Sequence, residues 1–200
     1  MAGPIDMGTA AVLGGLQGAT EFLPVSSSGH VALGAMLFGV SEEMPLALVV
    51  LLHFGTLVAT VALFRADIVE LTRRTVRGLA APGAFFASED GRLVAGIVVA
   101  SVPTAVLGLF LEERVEAYAR VPWVVGLCLL GSAAAARSTR RGGGEREVLP
   151  LGHALLVGVA QGMAVLPGLS RSGATIAVAM LLGMTGPAAF RFSFLLSLPA

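Results

Sequence analysis

Apolar residues run through this chain in blocks, and the polar residues fall between the blocks. Leu46–Phe64 and Leu93–Leu111 each hold 19 residues without a charge, and Val121–Ala136 holds 16. A helix needs roughly 20 apolar residues to cross a bilayer. These runs therefore predict three membrane spans, 46–64, 93–111 and 121–136. Pro103 predicts a kink in the second, because proline removes a backbone donor. Tyr118 and Trp123 flank the third and suit a membrane interface.

Other apolar pieces are too short to span alone. Residues 7–23 and 30–40 are separated by Pro24 and a serine cluster, and 148–166 and 174–184 by "PGLSRSG". Each pair, 7–40 and 148–184, predicts a helix–loop–helix hairpin that enters and leaves on one side. Irregular backbone at membrane depth is tolerated only where protein or a water-filled cavity surrounds it.

The two hairpins resemble each other. Shifted by 144 residues, "AAVLGGLQGATEFLPVSSSGHVALGAMLFG" falls on "ALLVGVAQGMAVLPGLSRSGATIAVAMLLG". Between 10–40 and 154–184, 11 of 31 positions are identical. They include Gln17/Gln161, Ser26/Ser170, Ser28/Ser172 and Gly29/Gly173. This predicts a first repeat over 1–148 and an incomplete second over 149–200, whose last residues start a further span. Three spans between the hairpins turn the second copy upside down. Inverted repeats with broken helices place binding sites at the repeat interface. The loops 24–30 and 167–173 are expected to face each other there. A full second copy would extend well beyond residue 200, so a fragment or a shortened variant is expected.

Composition agrees with a membrane protein. Hydrophobic residues make up 56% and charged residues 13% of the 200, and the mean hydropathy is +0.86. Soluble domains carry about 25% charged residues. All 13 basic residues are Arg, balanced by 13 acidic ones, and nothing suggests nucleic-acid binding. Arginines gather in 65–92 and 137–147, which the positive-inside rule assigns to the cytoplasm, with 112–120 outside. "RGGGERE" (141–147) reads as a flexible linker. The lone Cys128 reads as a small packing residue.

Ionisable residues within a membrane are costly and are functional candidates by default. Pooled, the two loops offer Glu21, His30, Arg171 and the hydroxyls of Ser26, Ser27, Ser28, Ser170 and Ser172. Gly29 and Gly173 would let backbone N–H groups approach a ligand. Half-helices beginning there would aim positive ends at an anion. The set suits a phosphate group on a molecule with a hydrophobic tail. Glu21 and Arg171 also suit a purely structural ion pair. His53 and His153 read as packing residues. Arg191 is left open between snorkelling and the site.

On "QGATEFLPVSSSGH" (17–30) and "LPGLSRSGATI" (166–176), the chain resembles the undecaprenyl-diphosphatase, or bacitracin-resistance, family. The order and spacing of these motifs match as well. The resemblance implies a multi-pass enzyme of the bacterial inner membrane. It would hydrolyse undecaprenyl diphosphate to the monophosphate at the outer face, which recycles the carrier for cell-wall synthesis. Ser27 resembles the proposed nucleophile, His30 its acid/base partner and Arg171 the phosphate-binding arginine. Glu21 falls on the second acidic position of the family's Glu-rich element, and Gln17 stands where the first falls. A divalent cation, Mg²⁺ or Ca²⁺, is implied, with Glu21 and Gln17 as its positions. Whether His30 or Glu21 is the base stays open, as does direct attack by a metal-activated water. A polyprenyl-phosphate flippase using the same anion site is the alternative. Partners expected are the lipid diphosphate and membrane lipids, with a homodimer left open.

Overall fold

The structure is a computed structural model and describes residues 6–40, 46–119 and 121–199. Ten α-helices form among the described residues: α1 (Met7–Glu21), α2 (Ser27–Leu37), α3 (Leu46–Leu63), α4 (Arg65–Gly78), α5 (Pro82–Ala87), α6 (Glu89–Ala119), α7 (Pro122–Ser138), α8 (Leu151–Met163), α9 (Arg171–Leu181) and α10 (Gly186–Leu196).

The apolar runs become α3, α6 and α7. Of these, α6 contains a stretch, Glu89–Leu111, long and apolar enough to cross a membrane by itself. It continues through Pro103 to Ala119, so the helix outlasts its apolar segment. α3 meets that test only together with α4, across a 69° bend. The bend falls where the apolar run meets Arg65. The region 65–92, expected as a loop, is largely helical. α4 carries its arginines on an exposed surface and buries none of its residues. Arg74 donates to Glu70 at 2.7 Å and to Asp90 at 2.9 Å. Those bonds hold the Glu70 carboxyl below its ordinary range and the Arg74 guanidinium above its own.

The main core lies among α6, α8, α9 and α10. Leu93, Ala100, Ala154, Val157, Ala179, Phe192 and Leu196 are buried in it. Small residues bring α6 and α8 together. A Cβ on Gly158 would lie 2.1 Å from the Ala100 carbonyl oxygen, and one on Gly162 2.7 Å from Leu107. This Gly-xxx-Gly spacing is the usual means of close helix approach in membranes. Thr104 spans the crossing, donating to a backbone oxygen at either Ala100 (2.9 Å) or Gly158 (3.0 Å). A smaller cluster of Leu13, Val31 and Ala35 joins α1 to α2 and receives Leu48 and Leu52 from α3.

Large apolar side chains on the lipid-sized helices face outward. Leu51, Val58 and Leu63 on α3 and Leu109 and Phe110 on α6 are all more than half exposed. Such continuous exposure exceeds what soluble monomers show and suits a hydrocarbon surround.

Both helix–loop–helix pairs end alike. In α2, Gly39 N–H donates to Met36 and Val40 N–H to Ala35; in α9, Gly183 N–H donates to Met180 and Met184 N–H to Ala179. Gly39 and Gly183 both have positive φ, 65° and 95°. This is the glycine-terminated Schellman cap, and its members stand 144 residues apart. The segment 141–147, expected to be a free linker, is instead docked on the second cap. Arg146 N–H donates to the Gly183 carbonyl at 3.0 Å, and the Arg146 carbonyl accepts from Thr185 N–H at 2.9 Å. Gly143 and Gly144 permit this, since a Cβ on either would overlap the Met184 or Gly183 carbonyl.

Candidate active site

The two serine clusters cap the helices that follow them. Ser26 precedes α2 and its hydroxyl accepts from Gly29 N–H; Ser170 precedes α9 and accepts from Gly173 N–H. Serine at an N-cap satisfies an otherwise unpaired donor. The helices thus start at Ser27 and Arg171, two residues before the glycines from which the sequence suggested they begin. The N–H groups of Gly29 and Gly173 are engaged by these caps. Both glycines serve the approach of the loops. A Cβ on Gly29 would lie 3.5 Å from Gly168 Cα, and one on Gly173 3.3 Å from Pro24 Cβ.

Only the first loop is strained. Ser26 has φ 66° and ψ 92°, a region non-glycine residues seldom occupy. Its carbonyl accepts from His30 Nδ1 at 2.8 Å. The second loop is held from outside by Ser132 of α7. That hydroxyl donates to the Gly168 carbonyl and accepts from Ser170 N–H, each at 2.8 Å. Ser132 is buried. Sequence reasoning passed over it, and its one signal was a hydroxyl within an apolar run.

Between the loops lies an ion pair. Arg171 Nη2 is 3.2 Å from Glu21 Oε1, with the carboxylate side chain 19% and the guanidinium side chain 39% exposed. Gln17 Nε2 donates to Glu21 Oε2 at 2.8 Å. The Ser27 hydroxyl donates to the same oxygen. One carboxylate therefore holds a hydroxyl and a guanidinium at once.

These groups open onto a cavity of about 670 Å³. Glu21, Ser26, Ser27, Ser28, Ser170, Arg171 and Ser172 line it, together with Phe22 and Phe194. The phenyl rings of Phe22 and Phe194 stack at 5.8 Å. The wall from α3 contributes His53, Thr56 and Thr60, so His53 is placed at the cavity and departs from its reading as a packing residue. His30, Gln17, Gly29 and Gly173 lie beside the cavity rather than in its lining. Arg191 points elsewhere, its Nε 3.2 Å from Asp67 Oδ1. His153 sits at the far end of α8, where its Nδ1 is 3.4 Å from Arg146 Nη1.

A metal cage fits poorly. No group of three or more His, Cys, Asp or Glu side chains converges among the described residues. Glu21 is the one acidic residue among the cavity's lining, and both its oxygens already accept hydrogen bonds.

A half-buried carboxylate–hydroxyl pair beside an arginine, in a cavity with an apolar wall, is a suitable site for a phosphorylated amphiphile. The family profile of bacitracin resistance protein BacA matches residues 10–200. The chain belongs to the BacA family. It is 41% identical over 198 residues to an undecaprenyl-diphosphatase of Korarchaeum cryptofilum (strain OPF8), covering 98% of this chain and 74% of that protein. It is 41% identical over 203 residues to the undecaprenyl-diphosphatase of Rubrobacter xylanophilus, covering 98% and 73%. With that of Desulforapulum autotrophicum it shares 44% over 207 residues, covering 98% and 74%. The BacA match takes in both serine loops and every residue that lines the cavity.

Proposed function

We infer that this membrane protein is an undecaprenyl-diphosphatase, a hydrolase that removes the terminal phosphate of undecaprenyl diphosphate. Its place in the BacA family and its similarity to undecaprenyl-diphosphatases over nearly the whole chain carry this reading. The product monophosphate is a carrier lipid for peptidoglycan synthesis, and the activity underlies bacitracin resistance. The relatives are named for hydrolysis, and no observation favours a flippase.

The residue roles are our proposal, and the hydrogen bond from Ser27 to Glu21 supports them most directly. Glu21 takes the Ser27 proton as Oγ attacks the terminal phosphorus. The bond from phosphorus to the bridging oxygen breaks, and the lipid monophosphate leaves. Water then hydrolyses the phosphoserine and restores the hydroxyl. Arg171 clamps the transferring phosphoryl group, whose transition state needs charge stabilisation more than covalent help. Ser26, Ser28, Ser170 and Ser172 offer hydroxyls around it. His30 positions the strained loop through the Ser26 carbonyl. Gln17 orients Glu21.

The arrangement in the membrane is likewise proposed. α3, α6 and α7 would cross the inner membrane, with α4 on the cytoplasmic face. The two hairpins would re-enter as inverted repeats, a reading supported by the shared caps and Schellman ends. Lipid, or a second copy of the chain, would cover the exposed apolar faces.

The test is phosphate release from undecaprenyl diphosphate by the purified protein, beside lipid movement in liposomes. Release of one phosphate per lipid supports the reading. Lipid movement without phosphate release overturns it.

A further inference from the structure

The mechanism above leaves one ionisable residue of the cavity without a role. His53 sits within the uncharged run that forms α3, and it lines the same cavity as Glu21, Ser27 and Arg171. Val49, Val50, Phe54, Thr56, Leu57 and Thr60 of the same helix line it too. His53, Thr56 and Thr60 make one polar stripe within that otherwise apolar wall.

The chemistry of that stripe is asymmetric. Thr60 donates to the Thr56 carbonyl at 2.8 Å, and Thr56 to the His53 carbonyl at 2.9 Å. Their hydroxyl protons are committed to backbone oxygens, as is usual for threonine in membrane helices. They present lone pairs to the cavity, which repel an anion. His53 differs. Its Nδ1 is 2.9 Å from the Val49 carbonyl oxygen, which can only accept, so Nδ1 carries a proton. Nε2 is the nitrogen left for a ligand. With both nitrogens protonated, the ring is the one donor that the α3 wall offers to an anion. Arg171 stands on a different wall, from α9.

We propose that His53 binds the substrate diphosphate, donating from Nε2–H to an oxygen of the phosphate group that Arg171 does not clamp. This rests on the hydrolase reading and adds a second phosphate contact from a separate helix. A diphosphate offers two anionic groups, and a monophosphate product offers one. Two contacts on two walls would therefore hold substrate more tightly than product.

The test uses the whole purified chain in detergent. Undecaprenyl diphosphate is the substrate, and its methylene-bridged diphosphonate analogue is a probe that cannot be hydrolysed. His53→Ala is expected to raise KM and weaken probe binding about tenfold, in keeping with the loss of one charge-assisted hydrogen bond, with kcat within about twofold. His53→Gln, whose amide can donate from the same face, is expected to recover much of the affinity. Thr56→Val, on the same stripe, is expected to leave KM within about twofold. Parent-like probe binding by His53→Ala overturns the proposal while the hydrolase reading stands. So does a fall in kcat with KM unchanged. Probe binding that depends on His53 in a parent that releases no phosphate keeps the proposal and sinks the hydrolase reading. A parent that does not bind the probe overturns both.

Discussion

Ser132→Ala removes one buried oxygen and no charge, yet it reaches the site through the backbone. The Ser132 hydroxyl pairs with the Gly168 carbonyl and with Ser170 N–H, each at 2.8 Å. Alanine leaves both groups without that partner in a region only 3% exposed at residue 132. A buried polar group left unpaired costs about 1–3 kcal/mol. Two would cost about 2–6 kcal/mol, and a water entering the small void would offset part of it. A destabilisation of about 3 kcal/mol is the central expectation. The loop that loosens carries Arg171, so KM for the lipid diphosphate should rise more than kcat falls. The assay pairs thermal unfolding in detergent with phosphate-release kinetics. Ser138→Ala on the same helix is the control, since that hydroxyl bonds only to the Ala135 carbonyl. Equal stability and equal KM for the two variants would refute the idea that Ser132 holds the second loop.

Other expectations follow from single contacts. Arg171→Lys keeps the charge but loses the planar fork; KM should rise about tenfold or more, and unchanged kinetics would argue against a bidentate phosphate contact. Gly158→Ala places a methyl 2.1 Å from the Ala100 carbonyl oxygen, so α6 and α8 must separate; a loss of about 1–3 kcal/mol is expected from such overpacking, read as a lower unfolding temperature. On α4, Glu70 gains from its hydrogen bond with Arg74, so its carboxyl titrates below the ordinary 4.5. That contribution is present above pH 4.5 and is lost as pH falls through the lowered value. The acid-induced drop in unfolding temperature should therefore be smaller in Glu70→Gln than in the parent.

Much of the fold was legible because its signals were local. The three uncharged runs became α3, α6 and α7, since apolar length and helix propensity act residue by residue. The serine–glycine loops announced themselves twice, 144 residues apart, and both became capped turns. What escaped the sequence was long-range. His53 looks like any lone histidine in an apolar helix until α3 is seen to wall the cavity. Ser132 has no neighbouring motif, because its partners lie 36 and 38 residues away. The linker 141–147 reads as free from composition alone, and only its contact with Gly183 reveals the docking. The hydrogen-bond partner of the Ser27 hydroxyl was undecidable from spacing, because Glu21 and His30 stand on either side of the serine.

In the proposed mechanism Glu21 and Ser27 act as one unit beside Arg171. The most direct measurement is phosphate release from undecaprenyl diphosphate by Glu21→Gln, Ser27→Ala and the double variant. Residues that work as a unit are strongly non-additive. Each single change should lower kcat by roughly a thousandfold or more, in the range of lost nucleophile activation, and the double variant should be no worse than the poorer single. Losses that multiply in the double variant, or near-parental turnover by Ser27→Ala, would contradict this coupling.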